Sequence, residues 1–282
     1  MLHFLIVTPS VFNGIVWIRM CGARSVWNFL PPMSILEEQV MVAQFDRHVE
    51  HMNAAIKKRG ASRKRARESE VVAFSDFDKR DLDGIYGVIK RYKQDVDPIS
   101  KETLQSLTRE VKRHARLTGL PGDGASEKKK KTYIFTMLSN VADEINGDDP
   151  DEYDVDSADS NRVFVEEEMS IEGININARG IADFVVRRGT RMVIVVEAKK
   201  EDMEQGLIQD LISMDVAIEQ NLAKDHKTPN IYGIVTDFTQ WWFVRRVGGV
   251  VEKTTDCINF ENSLEADLER IAGKIRHMIV HS

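Results

Sequence analysis

The chain has 282 residues, with 39 Lys and Arg against 45 Asp and Glu, a formal net charge of −6 and 42% hydrophobic residues. That length and mix belong to a globular chain with a sizeable core, built as one large domain or as a smaller one with extensions. The charge excludes a uniformly basic nucleic-acid coat, and the two cysteines, Cys21 and Cys257, exclude a disulfide framework and a CxxC-type zinc motif.

Residues 1–32 read as an apolar extension. Pro9, Asn13 and Gly14 interrupt its apolar run and no basic segment precedes it, so it is a weak secretion signal at most, and Met33 is a plausible alternative start. The run from Leu2 to Ile18 is short for a membrane span, and no membrane association is expected. Residues 33–125 then read as a mainly helical region with a basic linker. Leu36, Val40, Ala43, Val49, Met52 and Ile56 keep helical spacing over 35–58, and a basic run, KKRGASRKRAR, follows at Lys57 to Arg67. The run is either a solvated linker or a nuclear-localisation or phosphate-binding patch. Two further helices are expected over 77–117, separated near Pro98, and a breaker, GLPGDGASEKKKK, comes next.

The remaining chain, 126–282, has a different texture. A helix is expected over 132–145, then an acidic loop, then Val- and Ile-rich strands at 162–176, 181–186 and 192–196. A long helix over 201–222 carries Leu207, Leu211, Met214 and Ile218 on one face, and strands at 231–236, 241–247 and 249–258 and a helix over 264–279 complete the chain. Strands around a crossover helix predict an α/β fold with a mixed central sheet flanked by helices.

The stretch GIADFVVRRGTRMVIVVEAKK places three charges, Asp183, Glu197 and Lys199, in an apolar hairpin. Alternation puts Glu197 and Lys199 on one face. A three-residue connection, Arg188-Gly189-Thr190, would set Asp183 opposite Val195, a diagonal step from Glu197, whereas a slip of one residue would put the two acids on opposite faces. Two carboxylates so placed repel one another and desolvate badly without a cation between them. Mg²⁺ or Mn²⁺, oxygen-ligated and keeping several waters, suits them, and Lys199 could contact a metal-bound water or a substrate phosphate. The competing reading is that Glu197 pairs with Lys199 or Arg179 and nothing binds.

The acid on one strand followed by Glu-x-Lys on the next resembles the signature of the PD-(D/E)XK nuclease superfamily, with Ala182 where the proline usually stands. More narrowly, EAKKEDMEQGLIQDLISMDVAIEQN and IYGIVTDFTQWWF resemble the C-terminal nuclease-type region of crinkler effector proteins over about Glu166 to Phe243. The upstream phosphate loop, GxxxxGK[ST], is absent here, and so is the Leu-Phe-Leu-Ala-Lys motif. The resemblance implies a restriction-endonuclease-like αβββαβ core and Mg²⁺- or Mn²⁺-dependent hydrolysis of DNA or RNA. It further implies metal ligation by Asp183 and Glu197, water activation or phosphate contact by Lys199, and a place for Gln209 beside the metal. A further acid from the preceding helix is expected, with Glu144 the candidate and Glu168 the rival.

Lys200, Arg187, Arg188 and Trp242 are candidate nucleic-acid contacts. Alternation makes one of Trp241 and Trp242 a core ring, and the strand carrying them is expected at a sheet edge. Lys128 to Lys131 reads as a solvated helix start or a phosphate contact. The histidines show no HExxH spacing and the serines no nucleophile elbow. The alternative to an enzyme is a nuclease-fold binding module whose N-terminal helices contact protein partners, or a crinkler-like effector. A nuclear or cytoplasmic site of action is expected.

Overall fold

The computed structural model describes residues 35–62, 71–122, 124–147, 161–224, 226, 231–247 and 250–282, together with two short paired strands, β1 (Val11–Phe12) and β2 (Ile15–Val16). The signal-peptide reading, the acidic loop and part of the basic run fall outside these residues. In chain order come α1 (Ile35–Ser62), β3 (Val72–Ala73), α2 (Lys79–Tyr86), β4 (Lys90–Arg91), α3 (Lys101–Thr118), α4 (Glu127–Asn146), β5 (Val163–Glu172), β6 (Ala178–Arg188) and β7 (Arg191–Ala198). They are followed by α5 (Met203–Ala223), β8 (Tyr232–Thr236), β9 (Gln240–Val247), β10 (Val250–Cys257) and α6 (Leu264–Val280). The segment from α4 to β8 thus runs helix, three strands, helix, strand.

The main sheet is mixed, with order β3-β6-β7-β8-β9-β10-β4 and β5 paired to β6. Strands β5 to β7 are antiparallel, whereas β7 and β8 are parallel and joined by the crossover helix α5. Alternation sorts the side chains into two cores. Val185, Val195 and Val235 face α1, α2 and α5, while Phe184, Ile194, Val196, Ile234 and Phe243 face α3, α4 and α6. Helices 35–62 and 79–86 therefore pack on the same sheet as the later elements, and β3 and β4, which periodicity did not reveal, pair with β6 and β10.

Two expectations need correction. Helix α4 starts at Glu127, because the Ser126 hydroxyl accepts the Lys129 amide, so the four lysines lie within the helix rather than ahead of it. Strand β9 is interior, flanked by β8 and β10, rather than an edge. Trp241 is buried and donates its indole N–H to the Phe238 carbonyl. Trp242 lies half-buried on the opposite face, with the Lys253 ammonium 3.5 Å above its ring.

The β6–β7 hairpin also differs from its expected form. Arg188 pairs with Arg191 across a two-residue turn, Gly189-Thr190, in which Gly189 adopts φ +60°. A positive φ at the first central residue alone is the type II′ pattern, which suits glycine. Continued unbroken, this turn would send Asp183 and Glu197 to opposite faces. A bulge intervenes: Arg187 pairs with Met192 but Val186 with Ile194, leaving Val193 as the extra residue. Beyond the bulge Phe184 pairs with Val196, so one more step sets Asp183 across from Glu197 itself rather than across from Val195.

Candidate active site

Asp183 lies in the middle of β6 and Glu197 next to the last residue of β7. Asp183 Oδ2 accepts the Ala198 amide at 2.7 Å, and Oδ1 lies 2.7 Å from Lys131 Nζ. Glu197 Oε1 is 2.5 Å from Lys199 Nζ, which also donates to Gln209 Oε1 on α5. The Lys199 stem lies on Gly206, where a Cβ would come within 2.7 Å of its Cγ and of Val235. Glycine at 206 therefore lets the lysine pass between α5 and the sheet. The four residues singled out at the hairpin and α5, Asp183, Glu197, Lys199 and Gln209, form one connected group.

Burial, then the charge of Asp183, raise the Glu197 pKa from 4.5 to about 7, although Lys199 opposes the shift. Behind Glu197 lies Asp210, which is fully buried. Burial and the nearby Glu197 push its pKa well above the carboxylate range, and the Ile234 amide offsets this only in part. A buried site with this excess of carboxyl groups attracts cations.

The sequence marked Lys131 only as part of a lysine run, with no tie to Asp183. Burial pulls its pKa down, but the hydrogen bond and charge of Asp183 outweigh burial and push it up. Its neighbour Lys130 is buried, donating to the Lys200 carbonyl at 2.7 Å and to Asp237 at 3.3 Å. These partners explain why a lysine run can begin a helix against its dipole.

Glu168 is beside the site. Its neighbours Glu167 and Met169 pair with Phe184 and Ala182, so it stands in register with Asp183, with its carboxylate 3.5 Å from Lys131 Nζ. Its backbone φ of +52° is unusual for a residue with a side chain. Glu144 lies elsewhere. Its carboxylate accepts the Ser100 amide at the start of α3 and sits 3.5 Å from Arg276. At about 1.5 Å per residue, the thirteen residues separating it from Lys131 place it roughly 20 Å further along α4.

The proposed nucleic-acid contacts also separate. Arg187 bonds Glu166 and Arg188 bonds the Val280 carbonyl, both at the turn end of the hairpin, roughly 15 Å from Asp183 at about 3.3 Å per residue. Lys200 is half-exposed next to the site and pairs with Glu201 at 3.2 Å. Trp242 borders a basic depression of about 610 Å³ that is lined by Lys79, Lys90, Arg91 and Lys253, with Glu204 as its one acid.

The chain is similar to a crinkler effector. It is 26% identical over 210 residues to Crinkler effector protein 5 of Phytophthora infestans, a stretch covering 74% of this chain and 53% of the relative. The chain therefore spans about half the length of that relative. No protein-family model matches it, and no solved structure matches it significantly. Among the described residues, no helix is long and apolar enough to cross a membrane.

Proposed function

We propose that the chain is a metal-dependent phosphodiesterase of the PD-(D/E)XK type, hydrolysing DNA or RNA. The observation that carries this reading is the placement of Asp183 across from Glu197, with Lys199 bound to Glu197 and Gln209. The helix-strand-strand-strand-helix-strand order from α4 to β8 supports a restriction-endonuclease-like core. The donor set fits Mg²⁺ or Mn²⁺: two carboxylates on adjoining strands, one of them unable to ionise fully at neutral pH without added positive charge.

Asp183 and Glu197 would hold that ion, which when bound supplies a polarised water and neutralises charge on a phosphate. Lys199 is positioned by Gln209 and by the cleft over Gly206 so that its ammonium stays at the Glu197 carboxylate. From there it orients the attacking water and offsets charge developing on a non-bridging phosphate oxygen. Lys79, Lys90, Arg91 and Lys253 provide the local basic surface that a chain of net charge −6 needs to meet nucleic acid.

A second reading has its own support. Lys131 on Asp183 and Lys199 on Glu197 already give both acids a cationic partner, as expected of a nuclease-fold module that binds without cutting. Cleavage of labelled single- and double-stranded DNA and RNA in Mg²⁺, Mn²⁺ or EDTA separates the two. Metal-dependent cutting, lost in Asp183→Ala and Lys199→Ala, is expected of the enzyme; binding without cutting, unchanged in both variants, is expected of the module.

A further inference from the structure

Far from the hairpin, the C-terminal end of α6 brings together a different donor set. His277 and His281 are one helical turn apart, so their rings share a face, with centroids 4.3 Å apart. Asp97, in the segment between β4 and α3, meets both: Oδ1 lies 3.0 Å from His277 Nδ1, and Oδ2 lies 3.2 Å from His281 Nε2. Among the described residues these three alone offer three ligand atoms, all within 4.8 Å of one another.

We propose that Asp97, His277 and His281 form a Zn²⁺ site that fastens the segment before α3 to α6. Two imidazoles and one carboxylate are the borderline donors that Zn²⁺ prefers over Mg²⁺ or Ca²⁺. With bonds of about 2.0–2.1 Å, tetrahedral coordination spaces neighbouring ligand atoms by roughly 3.3 Å, and one Asp97 oxygen and the two ring nitrogens already lie within 4.8 Å of one another. An ion can therefore replace the two contacts with small side-chain movements.

The backbone holds the carboxylate in place. The Asp97 amide donates to the Gly273 carbonyl at 3.0 Å, and a Cβ at position 273 would come within 2.5 Å of the Asp97 carbonyl oxygen. Asp97 is thus pressed against the helix where only glycine fits. An outer partner is present too: the Asp95 carboxylate lies 3.9 Å from Nε2 of His277, the nitrogen left free when Nδ1 binds the metal. At that distance it adds favourable charge beside the ring without a hydrogen bond. Arg276, 3.4 Å from Asp97, balances part of the carboxylate charge and pairs also with Glu144. Three protein ligands leave a fourth position for water.

The test uses the full chain freed of any affinity tag and stripped with chelator, then titrated with Zn²⁺ against a chromogenic indicator in excess Mg²⁺. One Zn²⁺ per chain is expected, with affinity falling in His281→Gln and in Asp97→Asn by more than the roughly 10- to 100-fold that loss of an outer partner costs. The thermal midpoint should rise with Zn²⁺ in the parent chain and stay fixed in His281→Gln. His281 is 52% exposed, so this variant should fold. The proposal is overturned if the parent chain binds no stoichiometric Zn²⁺, if affinity stays within about twofold in His281→Gln, or if Asp183→Asn rather than His281→Gln abolishes binding.

Discussion

Asn221 on α5 bonds both backbone groups of Met192, accepting its amide at 3.1 Å and donating to its carbonyl at 2.7 Å. Met192 adjoins the bulge that sets Asp183 across from Glu197, so a buried amide on the crossover helix holds the irregularity on which the site depends. Asn221→Leu leaves two buried backbone groups unpaired, each worth about 1–3 kcal/mol. The urea midpoint should drop, and divalent-ion binding should weaken more than in a surface α5 variant of equal stability. Unchanged stability would show that the bulge holds itself.

Lys131 and a metal ion would compete for Asp183 Oδ1. Lys131→Gln is therefore expected to strengthen Mg²⁺ binding several-fold, measured by calorimetry, because the ion no longer displaces an ammonium. Weaker binding in the variant would mean that Lys131 positions Asp183 instead of shielding it.

The pH dependence has a definite sign. Glu197 holds its proton more tightly when folded, so with pKa rising from 4.5 to about 7 its contribution to stability is fully present below pH 4.5 and is lost as pH rises to about 7. At about 1.4 kcal/mol per pH unit the loss is on the order of 3 kcal/mol. Chemical denaturation of metal-free protein between pH 4.5 and 7.5 should show this slope, reduced in Glu197→Gln. Identical slopes in the two proteins would place the titration elsewhere.

Asp215 anchors a separate network, meeting His48 of α1 at 2.8 Å, the Tyr86 hydroxyl of α2 at 2.6 Å and Arg246 of β9. Burial raises its pKa, but Arg246, His48 and Tyr86 together hold it below the ordinary value. Asp215→Ala strands Arg246 next to the core and is expected to destabilise by about 3–5 kcal/mol. A loss under about 1 kcal/mol would show that α1 and α2 dock through apolar contacts alone.

Much of the fold was legible because hydrophobic periodicity is a local signal. The boundaries of α5, β8, β9 and α6 fall within a few residues of expectation, and the order around the hairpin was correct. The hairpin register was not legible, since it depends on a two-residue turn at Gly189 and a bulge held by Asn221, a residue far along the chain. In the same way, Lys130 and Lys131 read as solvated because their partners, Asp237 and Asp183, come from distant strands. Glu144 seemed apt as an acid on the preceding helix, yet its side chain serves the start of α3, while the β5 register brings Glu168 beside Asp183. Of the candidate site, the grouping of Asp183, Glu197 and Lys199 was legible from residue type and spacing, whereas Gln209 came from the family resemblance; the fold brings Lys199 to Glu197 and Gln209.

If Asp183 and Glu197 share one divalent ion, Mn²⁺ binding followed by electron paramagnetic resonance should report it. One bound Mn²⁺ per chain is expected, lost in Asp183→Asn and in Glu197→Gln and kept in His281→Gln. Mn²⁺ binding that survives both hairpin substitutions, or none in the parent chain, would contradict it.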